Sequence, residues 1–199
     1  MKKIILASAS PRRKALLKQI GLKFEVEPSK QKEILDTRLE AGELVKKLSQ
    51  EKAGEVAQEH GDAIIIAADT VVLLGRKILG KPHDRLDARN MLRALSGKSH
   101  RVITGFTIID TESKRTLSRS VETIVYIKLL TSSEIDAYVD SGEPLDKAGA
   151  YAIQGLGSVI VERIEGDYFN VVGLPLEALA ESLKEFGIDV LEKPVRRWK

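Results

Sequence analysis

Three settings in this chain break the local rules that their neighbours obey, and each has a chemical use. Asp69 follows the unbroken apolar run Ala63-Ile64-Ile65-Ile66-Ala67-Ala68, which predicts a strand buried on both faces. Ligand sites in open α/β sheets gather at the carboxyl ends of strands, and a carboxylate there can hold a hard cation or orient a water. A turn-forming aspartate is the alternative, but Val71-Val72 continue the strand pattern and favour the chemical reading. Arg12 and Arg13 fall in the first turn of a predicted helix, where the macrodipole is already positive. A short strand, Lys3 to Ala7, leads to them through small residues, with Ser10 suited to the N-cap and Pro11 to the first helical position. That is the geometry of a phosphate cradle. Free N–H groups, the Ser8 and Ser10 hydroxyls and two guanidinium forks would all face an anion. Two solvated arginines are the competing reading, and local physics alone weighs the two equally. Lys52 lies on the stripe Leu44, Val45, Leu48, Val56 and Ala57, the apolar face of a helix predicted over 40–59. Its ammonium either snorkels outward, the commoner case, or points at a buried anion. Glu55 and Glu59 read as the solvated face of the same helix.

A basic, phosphate-friendly set beside a carboxylate points to a phosphoester or anhydride substrate with a divalent cation. Several other chemistries lose their support. The chain has no cysteine, so disulfides, thiolate zinc sites and cysteine nucleophiles are excluded. It has no GxxxxGK[ST] sequence, and Gly155-Leu156-Gly157 is only a fragment of a dinucleotide fingerprint. His60, His83 and His100 show no metal spacing, and no G-x-S-x-G elbow supports a serine triad.

The elements that must position these residues alternate between strand and helix. A strand over 23–27 follows the first helix, and residues 28–36 read as loop. The central run continues through Val71–Leu74 to a turn at Gly75, and Gly80-Lys81-Pro82 closes that section. Helices are predicted over 84–95, 132–140 and about 175–186, long strands over 100–110 and 116–129, and short strands near 158–164 and 168–172. The section 142–157 is glycine-rich. At 199 residues with 43% hydrophobic and 31% charged content, the chain fits one globular domain or two small lobes. The net charge of +3 is too small to argue for a nucleic-acid coat or a membrane surface. The opening apolar run is too short for a signal peptide, and none approaches the ~18 residues of a membrane span, so a cytoplasmic protein is expected. The basic ending, about 193–199 with Trp198, reads as a loose tail rather than a nucleic-acid contact.

Six segments in order give the chain a wider resemblance: LASASPRRKALL (6–17), AADTVV (67–72), GKP (80–82), LSGKSHRVITG (95–105), DKAGAYAIQGLG (146–157) and GDYFNVVGLPL (166–176). In these the chain resembles the Maf family of nucleoside triphosphate pyrophosphatases. The resemblance implies an ITPase-like mixed α/β fold over 1–199, with a strongly bent sheet flanked by helices and two lobes around a deep cleft. It implies hydrolysis of a nucleoside triphosphate to monophosphate and pyrophosphate with Mg²⁺ or Mn²⁺, and a homodimer. It places the catalytic aspartate at Asp69, supporting groups at Glu33, Lys52 and Lys81, and substrate-selecting residues at Arg12, Thr70 and Gln154. Metal ligation falls to Asp69 and Glu33, and Ser8 and Arg13 join the substrate-binding set on charge and proximity. Family members often carry an acidic pair near Glu33, whereas this chain reads Gln31-Lys32-Glu33. Members acting on dTTP and UTP resemble this chain in DKAGAYAIQG, and a subgroup linked to methylated GTP has glutamate where Gln154 stands. A glutamine suits a uracil or thymine edge, because its acceptor meets N3–H while its amide donates to a flanking carbonyl. A nearby reading is a house-cleaning enzyme for modified pyrimidine nucleotides. A reading of another class is a nucleic-acid-binding regulator of septum formation without turnover.

Overall fold

The computed structural model describes residues 2–31, 36 and 38–192. Among these, seven strands form one mixed sheet. They are β1 (Lys3–Leu6), β2 (Glu25–Val26), β3 (Ala63–Leu74), β4 (Lys77–Leu79), β5 (Ser99–Asp110), β6 (Thr116–Ile127) and β7 (Val161–Glu165). The path is β2-β1-β3-β5-β6-β7, with β4 paired to β3 off the path. β1 lies parallel to β2 and to β3, whereas β3–β4 and β6–β7 are antiparallel. The helices are α1 (Pro11–Gln19), α2 (Ala41–Ala57), α3 (Arg85–Leu95), α4 (Ser132–Asp140), α5 (Tyr168–Val172) and α6 (Leu176–Lys184). No helix among the described residues is long and apolar enough to cross a membrane.

The chain divides into two compact units, which β3, β5 and β6 share along their lengths. The first comprises Met1–Asp69, Thr104–Val121 and Gly173–Lys199. Its apolar cluster joins Ile5 and Ala7 of the β1 segment, Ala63, Ile65 and Ala67 of β3, and Ala53 and Val56 of α2. These strand residues alternate, so they share one face of the sheet. Ile4, Leu6, Ile64 and Ile66, of opposite parity, are buried too, as a run without polar interruption requires. The depth of α2 is set at Gly105 of β5, where a Cβ would lie 2.5 Å from the Val45 carbonyl.

The second unit comprises Thr70–Ile103 and Glu122–Val172. Ala88, Leu92 and Leu95 of α3 and Ile135, Tyr138 and Val139 of α4 pack with Val72, Leu79, Val102, Val125 and Ile127 of the sheet. Each helix starts on a polar cap. The Asp84 carboxylate accepts from the Asp87 N–H, and Thr131 forms a reciprocal capping box with Glu134.

Three sequence expectations change. Residues 168–172 form helix α5 rather than a strand, because the Asp167 carboxylate accepts the Phe169 N–H at its start. The Asn170 amide then donates to the Val102 carbonyl and the Thr123 hydroxyl, holding the turn in the core. The strand expected over 23–27 contracts to Glu25–Val26, both exposed. The strand near 158–164 starts later, at Val161, because Gly155–Val159 is a 3-10 turn. As the pattern continuing through Leu74 predicts, Asp69 does not end its strand. β3 runs on to Leu74, which removes the turn-forming reading.

Candidate active site

The first wall of the site is the β1–α1 turn. Ser10 caps α1 by accepting the Arg13 N–H at 3.4 Å, with Pro11 in the first helical position. The Ser8 hydroxyl accepts from the Ser10 N–H at 3.3 Å and from Arg13 Nη1 at 3.2 Å. Arg13 Nε donates to the Gly173 carbonyl at 2.8 Å. The two arginines therefore differ. Arg13 is tied back across the first unit, whereas Arg12 makes no hydrogen bond or ion pair among the described residues.

The parallel register sets Leu6 against Ile66, so the chain leaves β1 at the same end at which β3 reaches Asp69. Ser8 and Asp69, 61 positions apart, come to one edge of the parallel pair for that reason. Asp69 continues the alternation Ala63, Ile65, Ala67 and so faces the side on which α2 packs Ala53 and Val56. One residue before Ala53 stands Lys52, and its ammonium donates to Asp69 Oδ1. With side chains 13% and 8% exposed, this is an interior ion pair, and it decides between snorkelling and a buried anion in favour of the anion.

Glu55, expected on a solvated face, has a different task. Its Oε2 accepts from the Ser29 hydroxyl, the Lys30 N–H at 3.0 Å and the Gln31 N–H at 3.1 Å. The Ser29 hydrogen bond is the main reason its carboxyl is held below the ordinary value. One helical turn from Lys52, α2 thus pins the segment that enters residues 32–35. Glu33 lies outside the described residues.

The remaining candidates belong to the second unit. Half-buried Thr70 follows Asp69 directly in β3. Lys81 is exposed in the segment between β4 and α3, and the preceding Gly80 carbonyl accepts the Gly149 N–H at 3.0 Å. Gln154 is exposed at the head of the 3-10 turn. Among the described residues, no hydrogen bond or ion pair joins Lys81 or Gln154 to another candidate. Two residues that the sequence did not flag shape this turn. Glu143 accepts the N–H groups of Leu156 and Gly157, each at 2.9 Å, and the Tyr138 hydroxyl at 2.9 Å. Burial opposes its charge, but the Gly157 and Leu156 N–H groups, the phenol and Lys147 outweigh burial and keep the carboxyl below its ordinary value. The only sequence signal was indirect: two glycines, Gly155 and Gly157, around a residue type, leucine, that needs neither.

Fit to a metal follows from the donor set. The described residues contain no group of three or more His, Asp, Glu or Cys that could cage an ion. A buried Asp69 carboxylate suits a hard cation of the magnesium type, which takes one or two carboxylates and completes its shell with substrate phosphate oxygens and water.

The profile of one family, described as "Maf-like protein", matches residues 3–186. The chain is 49% identical over 191 residues to a protein of Desulforamulus reducens named dTTP/UTP pyrophosphatase, an alignment covering 96% of this chain and all of the relative. A protein of that name from Acetivibrio thermocellus is 52% identical over 97% of this chain and all of its own length. Another, from Methanococcoides burtonii, is 53% identical over 96% of this chain and 99% of its own.

Proposed function

The chain belongs to the Maf family, and from that premise we propose that it hydrolyses dTTP and UTP to the nucleoside monophosphate and pyrophosphate. The observation that carries the reading is its full-length kinship with relatives bearing that name. In this reading the β1–α1 turn takes triphosphate oxygens. The α1 N–H groups and the Ser8 hydroxyl donate to them, and Arg12, which has no partner among the described residues, closes on them as a fork. Arg13 adds charge from a position fixed by Gly173 and Ser8, and exposed Lys81 neutralises the far phosphates. Gln154 pairs with the pyrimidine edge, and Thr70 helps to select the substrate.

A water oxygen attacks the α-phosphorus, the bond from that phosphorus to the α–β bridging oxygen breaks, and pyrophosphate departs. Asp69 orients the water and accepts its proton, while Lys52 holds the carboxylate in place. Asp69 and Glu33, with the triphosphate, would hold Mg²⁺ or Mn²⁺, which when bound would supply Lewis-acid polarisation of the phosphoryl group. A homodimer in the cytoplasm accompanies this reading. The test is a panel of nucleoside triphosphates with Mg²⁺, scored for pyrophosphate against orthophosphate. Pyrophosphate with preference for dTTP and UTP is expected, and orthophosphate as the main product overturns the assigned bond cleavage.

A further inference from the structure

The residues around Gln154 are held by one unit of side chains. The Tyr138 hydroxyl donates to Glu143 Oε1 at 2.9 Å and accepts the Ala152 N–H at 3.1 Å. Glu143 Oε1 also accepts the Gly157 N–H, and its Oε2 the Leu156 N–H. Backbone groups two residues before Gln154, and two and three after it, therefore end on the same phenol–carboxylate pair. The glycines are fitted to that pair. Gly155 has φ +66°, and a Cβ on it would stand 2.4 Å from Glu143 Oε2. A Cβ on Gly157 would stand 2.1 Å from the Ala152 carbonyl oxygen and 2.6 Å from the Tyr138 hydroxyl. Lys147 Nζ donates to the Glu143 carbonyl oxygen at 2.8 Å, fixing the base of the same loop. Gln154 itself is exposed and makes no hydrogen bond among the described residues. A free amide on a backbone anchored from both sides is a presented amide, since the freedom it would lose on pairing is already reduced.

We propose that Glu143, seconded by Tyr138, is a specificity-positioning residue that sets where the Gln154 amide meets the nucleobase. This rests on the assignment of Gln154 to the base. Glu143 touches neither the phosphates nor the reacting atoms in that reading, so its loss acts on base selection and not on bond cleavage. Glu143→Gln keeps the size of the side chain but puts an amide nitrogen where one backbone N–H must find an acceptor. Tyr138→Phe removes the shared hydroxyl and leaves the carboxylate, so it folds more readily and keeps the inference testable if the first variant does not fold.

The experiment measures kcat and KM for UTP, CTP and GTP with Mg²⁺ for the parent, Glu143→Gln, Tyr138→Phe and Gln154→Ala. In Glu143→Gln the expected result is a fall of about tenfold or more in the kcat/KM preference for UTP, carried by KM, with kcat for UTP within about threefold of the parent. Tyr138→Phe moves the same ratio in the same direction by less. Adding Glu143→Gln to Gln154→Ala brings little further loss of preference, because both act through one contact. If Gln154→Ala erases the preference while Glu143→Gln and Tyr138→Phe keep it, the positioning role is overturned and the assignment of Gln154 stands. If Gln154→Ala keeps the preference, that assignment fails and the positioning role fails with it. A matching fall in kcat for all three nucleotides in Glu143→Gln returns the residue to a purely structural part.

Discussion

Acidification should weaken the second unit through one histidine. His100 is 3% exposed, its Nε2 hydrogen-bonds the Tyr151 hydroxyl at 2.7 Å, and its Nδ1 has no partner among the described residues. The two rings meet edge to face with centroids 5.1 Å apart. Protonation would bury a charge and give it an N–H with no acceptor, so burial lowers its pKa from 6.5 to about 4. The unfolded chain, with the ordinary value, takes the proton first. The stabilisation is therefore complete above pH 6.5 and is lost as pH falls toward 4. The full span is about 3 kcal/mol, at ~1.4 kcal/mol per pH unit between the two values. About 2 kcal/mol of it falls between pH 7 and pH 5, before most carboxylates titrate. Urea denaturation at pH 7, 6 and 5 reads this directly, with His100→Gln as the comparison, since an amide keeps a partner for Tyr151 and cannot titrate. The variant should lose about 2 kcal/mol less than the parent over that interval. Equal losses in the two proteins, or an NMR titration of His100 near its ordinary value, would refute the reasoning.

Asp69→Asn should abolish nucleotide turnover and leave the circular dichroism spectrum unchanged, and near-normal activity in that variant removes Asp69 from the chemistry. Its partner behaves differently: Lys52→Ala removes the ammonium from an interior ion pair and should cost about 3 kcal/mol in denaturant melts as well as activity. The arginines should separate likewise. Arg12→Ala should lower turnover with melts unchanged. Arg13→Ala should lower turnover and also cost about 1–2 kcal/mol, because it releases the Gly173 carbonyl and the Ser8 hydroxyl. Identical behaviour of the two variants contradicts the geometry of the β1–α1 turn.

Much of this arrangement was legible because single residues disagreed with their surroundings. Asp69 in an apolar strand and Lys52 on an apolar stripe both stood out, and periodicity placed β3, α2, α3 and α4. That the two residues pair was not legible, since it depends on which face of β3 carries α2. Glu55 was misread as solvated and Glu143 escaped notice for a common reason. Each accepts backbone N–H groups from a distant segment, and a backbone donor leaves no trace in residue type. The strand expected at 168–172 failed because Tyr-Phe-Asn-Val-Val has the composition of a strand, while the Asp167 and Asn170 side chains hold the segment as a helical turn in the core.

Gly105 gives the site an unusual dependence. It has no functional group, yet the space above its Cα is filled by the α2 backbone at Val45, two helical turns before Lys52 on the same side of that helix. A methyl group there would lift α2 at one end and swing the other, changing the reach of Lys52 toward β3 and of Glu55 toward residues 29–31 together. Tolerance in the placement of the Lys52–Asp69 pair is thus governed by an atom that the protein leaves out, and drift at this position would reach the pair without altering either of its side chains.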